Sequence, residues 1–204
     1  MDIYFLKSDI FLKQLNEAIF FKYKNEKKEA CSKRQNEYAL GRFLVHFILE
    51  HYFYINNPQI LIKNKKPYID TKEVCFNISH TKNIIAAAFD TDEIGFDIEF
   101  MKDRDFSKIN ERYGIAKSTN EKESFYSFWT DYEAQIKLQQ QSCSSFSSRF
   151  NTNYWLSIKS ARNIDIEKEL HVYEITFCKD GNIKRELRDF NLLKNIRQQH
   201  PPQP

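Results

Sequence analysis

Glycine is scarce, at 4 of 204 residues. Neither G-x-x-x-x-G-K nor G-x-G-x-x-G occurs, so P-loop and dinucleotide-binding loops, which need glycine for close backbone approach to phosphate, are excluded. Cysteine is also sparse. Cys31, Cys75, Cys143 and Cys178 form no C-x-x-C pair, and their spacing supports no zinc site. Free thiols of a cytoplasmic protein are expected rather than two disulfides. No segment approaches the roughly 18 apolar residues of a membrane span. Asp2, Lys7, Asp9 and Lys13 interrupt the first apolar residues where a secretory leader needs an unbroken core. Charge of one sign is lacking too: 31 Lys+Arg against 28 Asp+Glu leaves +3, too little to imply nucleic acid by itself. That mild excess suits anionic small molecules or acidic partners.

Rings are plentiful, with 18 Phe, 11 Tyr and 2 Trp, enough to fill a substantial core in a chain that is 41% hydrophobic and 29% charged. After an apolar opening at Ile3–Leu6 and a lysine-rich stretch at 22–28, a helix is predicted from Ser32. Ser32 and Gln35 have capping-box spacing, and Leu40, Leu44, Phe47, Ile48 and Tyr52 follow at helical intervals until Asn56-Asn57-Pro58. Gly41 inside that helix costs about 1 kcal/mol against alanine, which predicts a close approach there. Strands are predicted at 60–62, from Pro67, and at 74–78, 84–89 and 94–100, with a turn at Asp90–Glu93. A charged connector, Lys102–Lys108, separates this region from a second helix capped by Asn120 and Glu123, with Phe125, Phe128, Trp129, Tyr132 and Ile136 as its apolar stripe. Gln139–Ser148 reads as a polar loop. Strands follow at 154–158 and 172–178, with a turn at Asp180-Gly181, and residues 198–204 read as a disordered tail. The order is helix then strands, twice. It predicts an α+β fold of two similar halves, 1–104 and 105–197.

Three segments carry chemistry. In Ile94-Gly95-Phe96-Asp97-Ile98-Glu99-Phe100, strand alternation puts Gly95, Asp97 and Glu99 on one face, the two carboxylate Cα atoms about 6.5–7 Å apart. Like charges side by side need water or a cation, and a hard divalent ion suits them. Taken alone, the same pattern describes any strand with a wet acidic face. Phe76-Asn77-Ile78-Ser79-His80-Thr81 reads as a strand end entering a turn. Its hydroxyl and imidazole can both donate to phosphate, or serve as an ordinary capping serine and surface histidine. On the second helix, Glu133 and Lys137 lie one turn apart, the spacing of a surface ion pair worth a few tenths of a kcal/mol. Arg34, Arg42, Lys65 and Lys66 are cations that could meet phosphate or only solvent.

In combination these segments are specific. N-I-S-H-T at 77–81, G-F-D-I-E at 95–99 and W-T-x-x-E-A-x-x-K at 129–137, in that order, resemble the 4′-phosphopantetheinyl transferases of the type with two fused halves. Lys33-Arg34-Gln35 with Gly41-Arg42 is similar to the family's first-helix motif, and Lys66-Pro67 to its Lys-Pro element. The resemblance covers roughly residues 33–137.

The resemblance implies an active site in a cleft between two α+β halves related by pseudo-two-fold symmetry. It implies transfer of the phosphopantetheine arm of coenzyme A to a serine of an apo acyl or peptidyl carrier protein, as in the holo-acyl-carrier-protein synthases of fatty acid biosynthesis. Asp97, Glu99 and Glu133 would hold Mg²⁺, with Mn²⁺ as the alternative. Glu133, or water on the metal, would take the serine proton. Lys137 would neutralise the pyrophosphate, and Arg34, Arg42, Lys66, Ser79 and His80 would grip the nucleotide phosphates. A cytoplasmic monomer is implied, with no nucleic acid or membrane partner. Tyr132 stands where the family usually carries lysine, and a tyrosine supplies no fixed positive charge at neutral pH. That substitution keeps a non-catalytic relative that binds coenzyme A or a carrier protein as the second reading. A phosphoester hydrolase using the same carboxylates is the third.

Overall fold

Ile84-Ile85-Ala86-Ala87-Ala88-Phe89 has no polar member, the signature of a strand covered on both faces. In a computed structural model, which describes residues 1–15, 23–24, 26, 31–116, 118–178 and 180–188, every residue of that strand is buried. In chain order the elements are β1 (Asp2–Lys7), α1 (Ser8–Gln14), α2 (Ser32–Tyr52), β2 (Ile60–Lys63), β3 (Lys66–Ile69), β4 (Cys75–Thr81), β5 (Ile84–Asp90) and β6 (Ile94–Phe100). Then come α3 (Ser107–Arg112), α4 (Glu121–Leu138), β7 (Ser144–Phe150), β8 (Tyr154–Ser160), α5 (Ile166–Glu169), β9 (His171–Phe177) and β10 (Ile183–Arg188).

The architecture is mixed α+β. A five-stranded sheet has the order β10-β9-β1-β5-β4, a three-stranded sheet the order β6-β8-β7, and β2-β3 is a hairpin. All pairings are antiparallel except β1 with β9. Alternation along β1 feeds two cores. Tyr4 and Leu6 join Leu40, Leu44 and Ile48 of α2 on one face of the large sheet. Ile3 and Phe5 join Ala86 and Ala88 of β5 and Phe96, Ile98, Leu156 and Ile158 of the small sheet on the other. Helix α2 thus covers one face of the large sheet, and the small sheet covers the other. At the end of β5, Arg162 clasps the buried Asp90 through Nε and Nη2 at 2.9–3.1 Å and reaches Glu169 at 2.6 Å, tying the two sheets together.

Several sequence expectations hold. The five strands between residues 60 and 100 form, and Asn120 caps α4 by accepting from the Glu123 N–H at 3.2 Å. Others change. Ser32 and Gln35 make no capping box; α2 starts after Cys31, whose side chain caps nothing. The serine-rich stretch read as a loop contains β7, whose Phe146, Ser148 and Phe150 alternate inward. Ile3–Leu6 becomes a central strand, so the chain opens on a strand rather than a helix. A side chain at Gly41 would stand 3.5 Å from Ile78, an ordinary contact, so no tight approach explains that glycine. Most of the lysine-rich 22–28 stretch and the 198–204 tail lie outside the described residues. None of the four cysteines is disulfide-bonded, and no helix among the described residues is long and apolar enough to cross a membrane.

The largest departure is on α4. Its buried positions are Phe125, Tyr126, Thr130, Ala134 and Leu138. Phe128, Tyr132 and Ile136 of the expected stripe are 36%, 50% and 51% exposed. Gly95 decides the orientation. A Cβ there would fall inside the Ala134 carbonyl oxygen and 2.6 Å from the Leu138 nitrogen, so helix backbone rests directly on strand backbone. Only a small residue comes that close, and Ala134 provides it while the rings of Phe128 and Tyr132 turn outward. Replacing Gly95 by alanine is expected to cost at least the 1–3 kcal/mol typical of overpacking. Urea unfolding of Gly95→Ala against wild type measures it, and an unchanged midpoint would show that the contact is not tight.

Candidate active site

β6 pairs with β8 through one edge only. The backbone groups of Ile94, Phe96, Ile98 and Phe100 point to the other edge, where β4 lies alongside without strand pairing. Unmade backbone hydrogen bonds are costly in a buried place, and here side chains make them. Lys66 Nζ donates to the Ile94 carbonyl at 3.1 Å, and Lys137 Nζ to the Phe96 carbonyl at 3.1 Å. The N–H groups of Phe96, Ile98 and Phe100 donate to Asn77 Oδ1, Ser79 Oγ and Thr81 Oγ1 at 3.3, 3.3 and 3.0 Å.

The same side chains meet the carboxylates. Asp97 is 5% exposed. Its Oδ1 accepts from Ser79 Oγ at 2.7 Å and pairs with Lys137 Nζ at 2.7 Å. Its Oδ2 is buried with no hydrogen-bond partner. Glu99 accepts from Thr81 Oγ1 at 3.0 Å. Burial, followed by the charge of Asp97, pushes the Glu99 carboxyl above the ordinary glutamate range, while the Thr81 hydrogen bond and Lys137 pull it down. Asp97 and Glu99 share the face of β6 under α4, as strand alternation predicts.

Lys137 reaches inward to Asp97 instead of making the Glu133 pair that helix spacing allows. Glu133 is half-buried one turn before it, and among the described residues its side chain has no hydrogen bond or ion pair. β6 runs from Gly95 under Leu138, past Asp97 at Lys137, to Glu99, which lines a cavity with Trp129 and Phe125. Strand and helix are therefore antiparallel, and stepping from Lys137 back to Glu133 follows the step from Asp97 to Glu99. Among the described residues, however, no three His, Cys, Asp or Glu side chains stand close enough to share a metal ion. The cavity is about 360 Å³, and Arg104, Ile109, Arg112, Tyr113 and Tyr126 complete its wall.

The other expected phosphate ligands lie around this centre. Ser79 is buried, and its hydroxyl proton goes to Asp97, so it is not turned toward a phosphate. The segment 75–81 is strand throughout; the turn comes at Lys82, with φ +49°. His80, on the opposite face of β4 from Ser79, is exposed, with Nδ1 3.9 Å from Glu37 of α2. Arg34 is exposed on the first turn of α2. Arg42 pairs with Glu26 at 3.1 Å, and Lys66 with Glu93. Tyr132 is stacked on Phe128, ring centroids 6.2 Å apart at 9°, away from Asp97. Sequence reading missed Asn77 and Thr81. Their signal was the polar alternation Asn77-x-Ser79-x-Thr81, which repeats the period of Gly95-x-Asp97-x-Glu99.

No family model matches the chain. Two curated relatives do. The 4′-phosphopantetheinyl transferase ffp of Bacillus subtilis is 31% identical over 155 residues, 66% of this chain and 69% of the relative. The 4′-phosphopantetheinyl transferase Sfp of Bacillus subtilis (strain 168) is 30% identical over 181 residues, 78% of this chain and 81% of the relative. Alignments of that length span the β6 carboxylates and the α4 helix together. With the paired Asp97–Lys137 site between those two elements, they establish that the chain belongs to the 4′-phosphopantetheinyl transferase family.

Proposed function

We propose that this chain transfers the 4′-phosphopantetheine arm of coenzyme A to a serine hydroxyl of an apo carrier protein, in a metal-dependent reaction that releases adenosine 3′,5′-bisphosphate. The buried Asp97 carries the reading. One of its oxygens is held by Ser79 and Lys137, and the other is buried without a donor. A buried charged oxygen left unpaired is costly, and a divalent cation removes that cost. Glu99 on the same face, pushed toward protonation by burial and by Asp97, is relieved by the same ion. An all-carboxylate donor set suits Mg²⁺, with Mn²⁺ as the alternative. Asp97 and Glu99 would hold it; Glu133 is not within metal-sharing distance of them in this structure and would become the third ligand only by moving toward them. Bound there, the ion supplies positive charge against the coenzyme's pyrophosphate.

The chain's own groups supply the rest. The Lys137 ammonium, fixed by Asp97 and the Phe96 carbonyl, neutralises charge on the leaving phosphate. Glu133, free of other partners among the described residues, accepts the serine proton. The serine oxygen then bonds to the phosphorus that carries the pantetheine arm. The bond from that phosphorus to the bridging oxygen breaks, and the nucleotide leaves with the electron pair. Positioning and charge neutralisation dominate such a transfer. Arg34, Arg42, Lys66 and His80 remain the candidates for the nucleotide phosphates. Arg42 and Lys66 would exchange Glu26 and Glu93 for phosphate oxygens.

In this reading residues 1–104 supply Asp97 and Glu99, residues 105–197 supply Glu133 and Lys137, and a pseudo-two-fold relates the halves. The single long helix in each half supports it, while the strands of the two halves interleave, β9 and β10 joining the large sheet and β6 the small one. A monomer is then sufficient, acting in the cytoplasm, with the acyl carrier protein of fatty acid synthesis as the first acceptor to try. Tyr132 does not favour a non-catalytic relative, because Lys137 already places an ammonium at Asp97.

Intact-mass spectrometry of an apo acyl carrier protein incubated with this protein, coenzyme A and Mg²⁺ is expected to show a gain of one phosphopantetheine that EDTA abolishes. No gain with any acyl or peptidyl carrier would refute the reading. Tyr132→Lys is expected to leave the transfer rate unchanged; a large rise would make the lost lysine the chain's main defect. With coenzyme A present, Mg²⁺ at about 100 times its Kd is expected to add about 2.7 kcal/mol of stability to wild type. In a thermal melt Asp97→Asn should lose that gain, and a variant that kept it would remove Asp97 from the metal site.

A further inference from the structure

We propose that Ser79 and Thr81 are positioning residues that hold the Asp97 and Glu99 carboxylates ready for a cation, and that they are not ligands of the coenzyme. The inference rests on the metal-dependent reading above. A hydroxyl carries one proton and can also accept. At Ser79 the Ile98 N–H donates into the oxygen, and at Thr81 the Phe100 N–H does so. With the backbone donors in place, each hydroxyl proton is left for the carboxylate: Ser79 to Asp97 Oδ1 at 2.7 Å, Thr81 to Glu99 Oε2 at 3.0 Å. Each hydroxyl, held from behind by a backbone N–H, thus fixes the orientation of the carboxylate in front of it. Ser79 also fixes which oxygen of Asp97 is occupied and which, Oδ2, is left for another partner.

The third rung shows the selectivity. Asn77 stands in the same relation to β6 as Ser79 and Thr81 do. All three rungs span 19 residues: 77 to 96, 79 to 98 and 81 to 100. Beside Asn77 the β6 residue is Gly95, which has no carboxylate. There the Phe96 N–H needs only an acceptor, which the Asn77 amide oxygen supplies, and the amide's two N–H donors sit on its other atom. Beside Asp97 and Glu99 the rung is a hydroxyl, which accepts and donates at once. The side-chain type on β4 therefore tracks the presence of a carboxylate on β6. Sealing the strand edge alone would not require that match, since one acceptor type would serve at every rung.

Partners of this kind typically change metal affinity by about 10–100-fold when removed. Mn²⁺ binding, followed by the electron paramagnetic resonance of the free ion with coenzyme A present, reads this without any turnover. Thr81→Val keeps the shape and removes the hydroxyl, and is expected to weaken Mn²⁺ binding by about 10-fold or more. Thr81→Ser is expected to restore it, and calorimetric binding of coenzyme A without metal should stay at the wild-type value in both. Ser79→Ala is expected to behave like Thr81→Val. Should it fail to fold because Ser79 is buried, the Thr81 pair still decides. Wild-type Mn²⁺ affinity in Thr81→Val, or weakened metal-free coenzyme A binding in that variant, would overturn the proposal. So would a wild-type protein that binds no Mn²⁺. If wild type binds Mn²⁺ and Thr81→Val weakens it while no carrier protein is modified, the transfer reading fails and the positioning role stands.

Discussion

Helix α4 can lie on strand β6 only because residue 95 has no side chain. At that point the Ala134 carbonyl and the Leu138 amide occupy the space that any Cβ would need. The contact fixes the height of the helix above the strand and its rotation about its own axis. With Ala134 against Gly95, Lys137 reaches Asp97 and the Phe96 carbonyl, and Thr130 bonds Ser157 of β8 at 2.7 Å. The large rings at 128 and 132 turn to solvent, where they stack on each other. A bulkier contact would lift the ammonium off the carboxylate and open the cleft. Fold and chemistry meet in one backbone-on-backbone approach.

The second consequence concerns the free edge of β6. Sheet edges are usually closed by another strand or blunted by charge. Here five side chains from β3, β4 and α4 close it, each taking one backbone group. Polar side chains are thereby drawn into a buried slot between two sheets, and the carboxylates of β6 share their hydrogen bonds. The residues that join the two sheets at this seam are the ones that surround Asp97. In the proposed transfer Lys137 would meet the phosphate already held by a carbonyl and a carboxylate, which limits the entropy lost on engagement.

Much of this was legible in the sequence. Alternation in Gly95–Glu99 placed both carboxylates on one face, and the Asn120 cap and the apolar run of β5 were read correctly, because each depends on local geometry with a fixed period. The resemblance in three ordered motifs pointed to the family that the Bacillus subtilis relatives establish. What failed depended on contacts between distant segments. The aromatic stripe of α4 has helical spacing and strong apolar character, yet a glycine 39 residues before Ala134 chose the other face. Ser144–Ser148 looked like a loop because serine is common in turns. It forms a strand because Ser147 joins the hydroxyls of Ser157 and Ser127 beneath α4. Nothing in the Ser79 segment itself reveals that its hydroxyl reaches Asp97, 18 residues on.

Asp97 Oδ2, buried without a partner, is the atom at which the proposed cation would meet the protein. An anomalous-difference map from crystals grown with Mn²⁺ and coenzyme A tests it most directly. The predicted result is a peak about 2.1 Å from that oxygen, the distance expected for a small divalent ion, with Glu99 also in contact. A Mn²⁺ peak elsewhere, with Asp97 Oδ2 still lacking any partner, would contradict it.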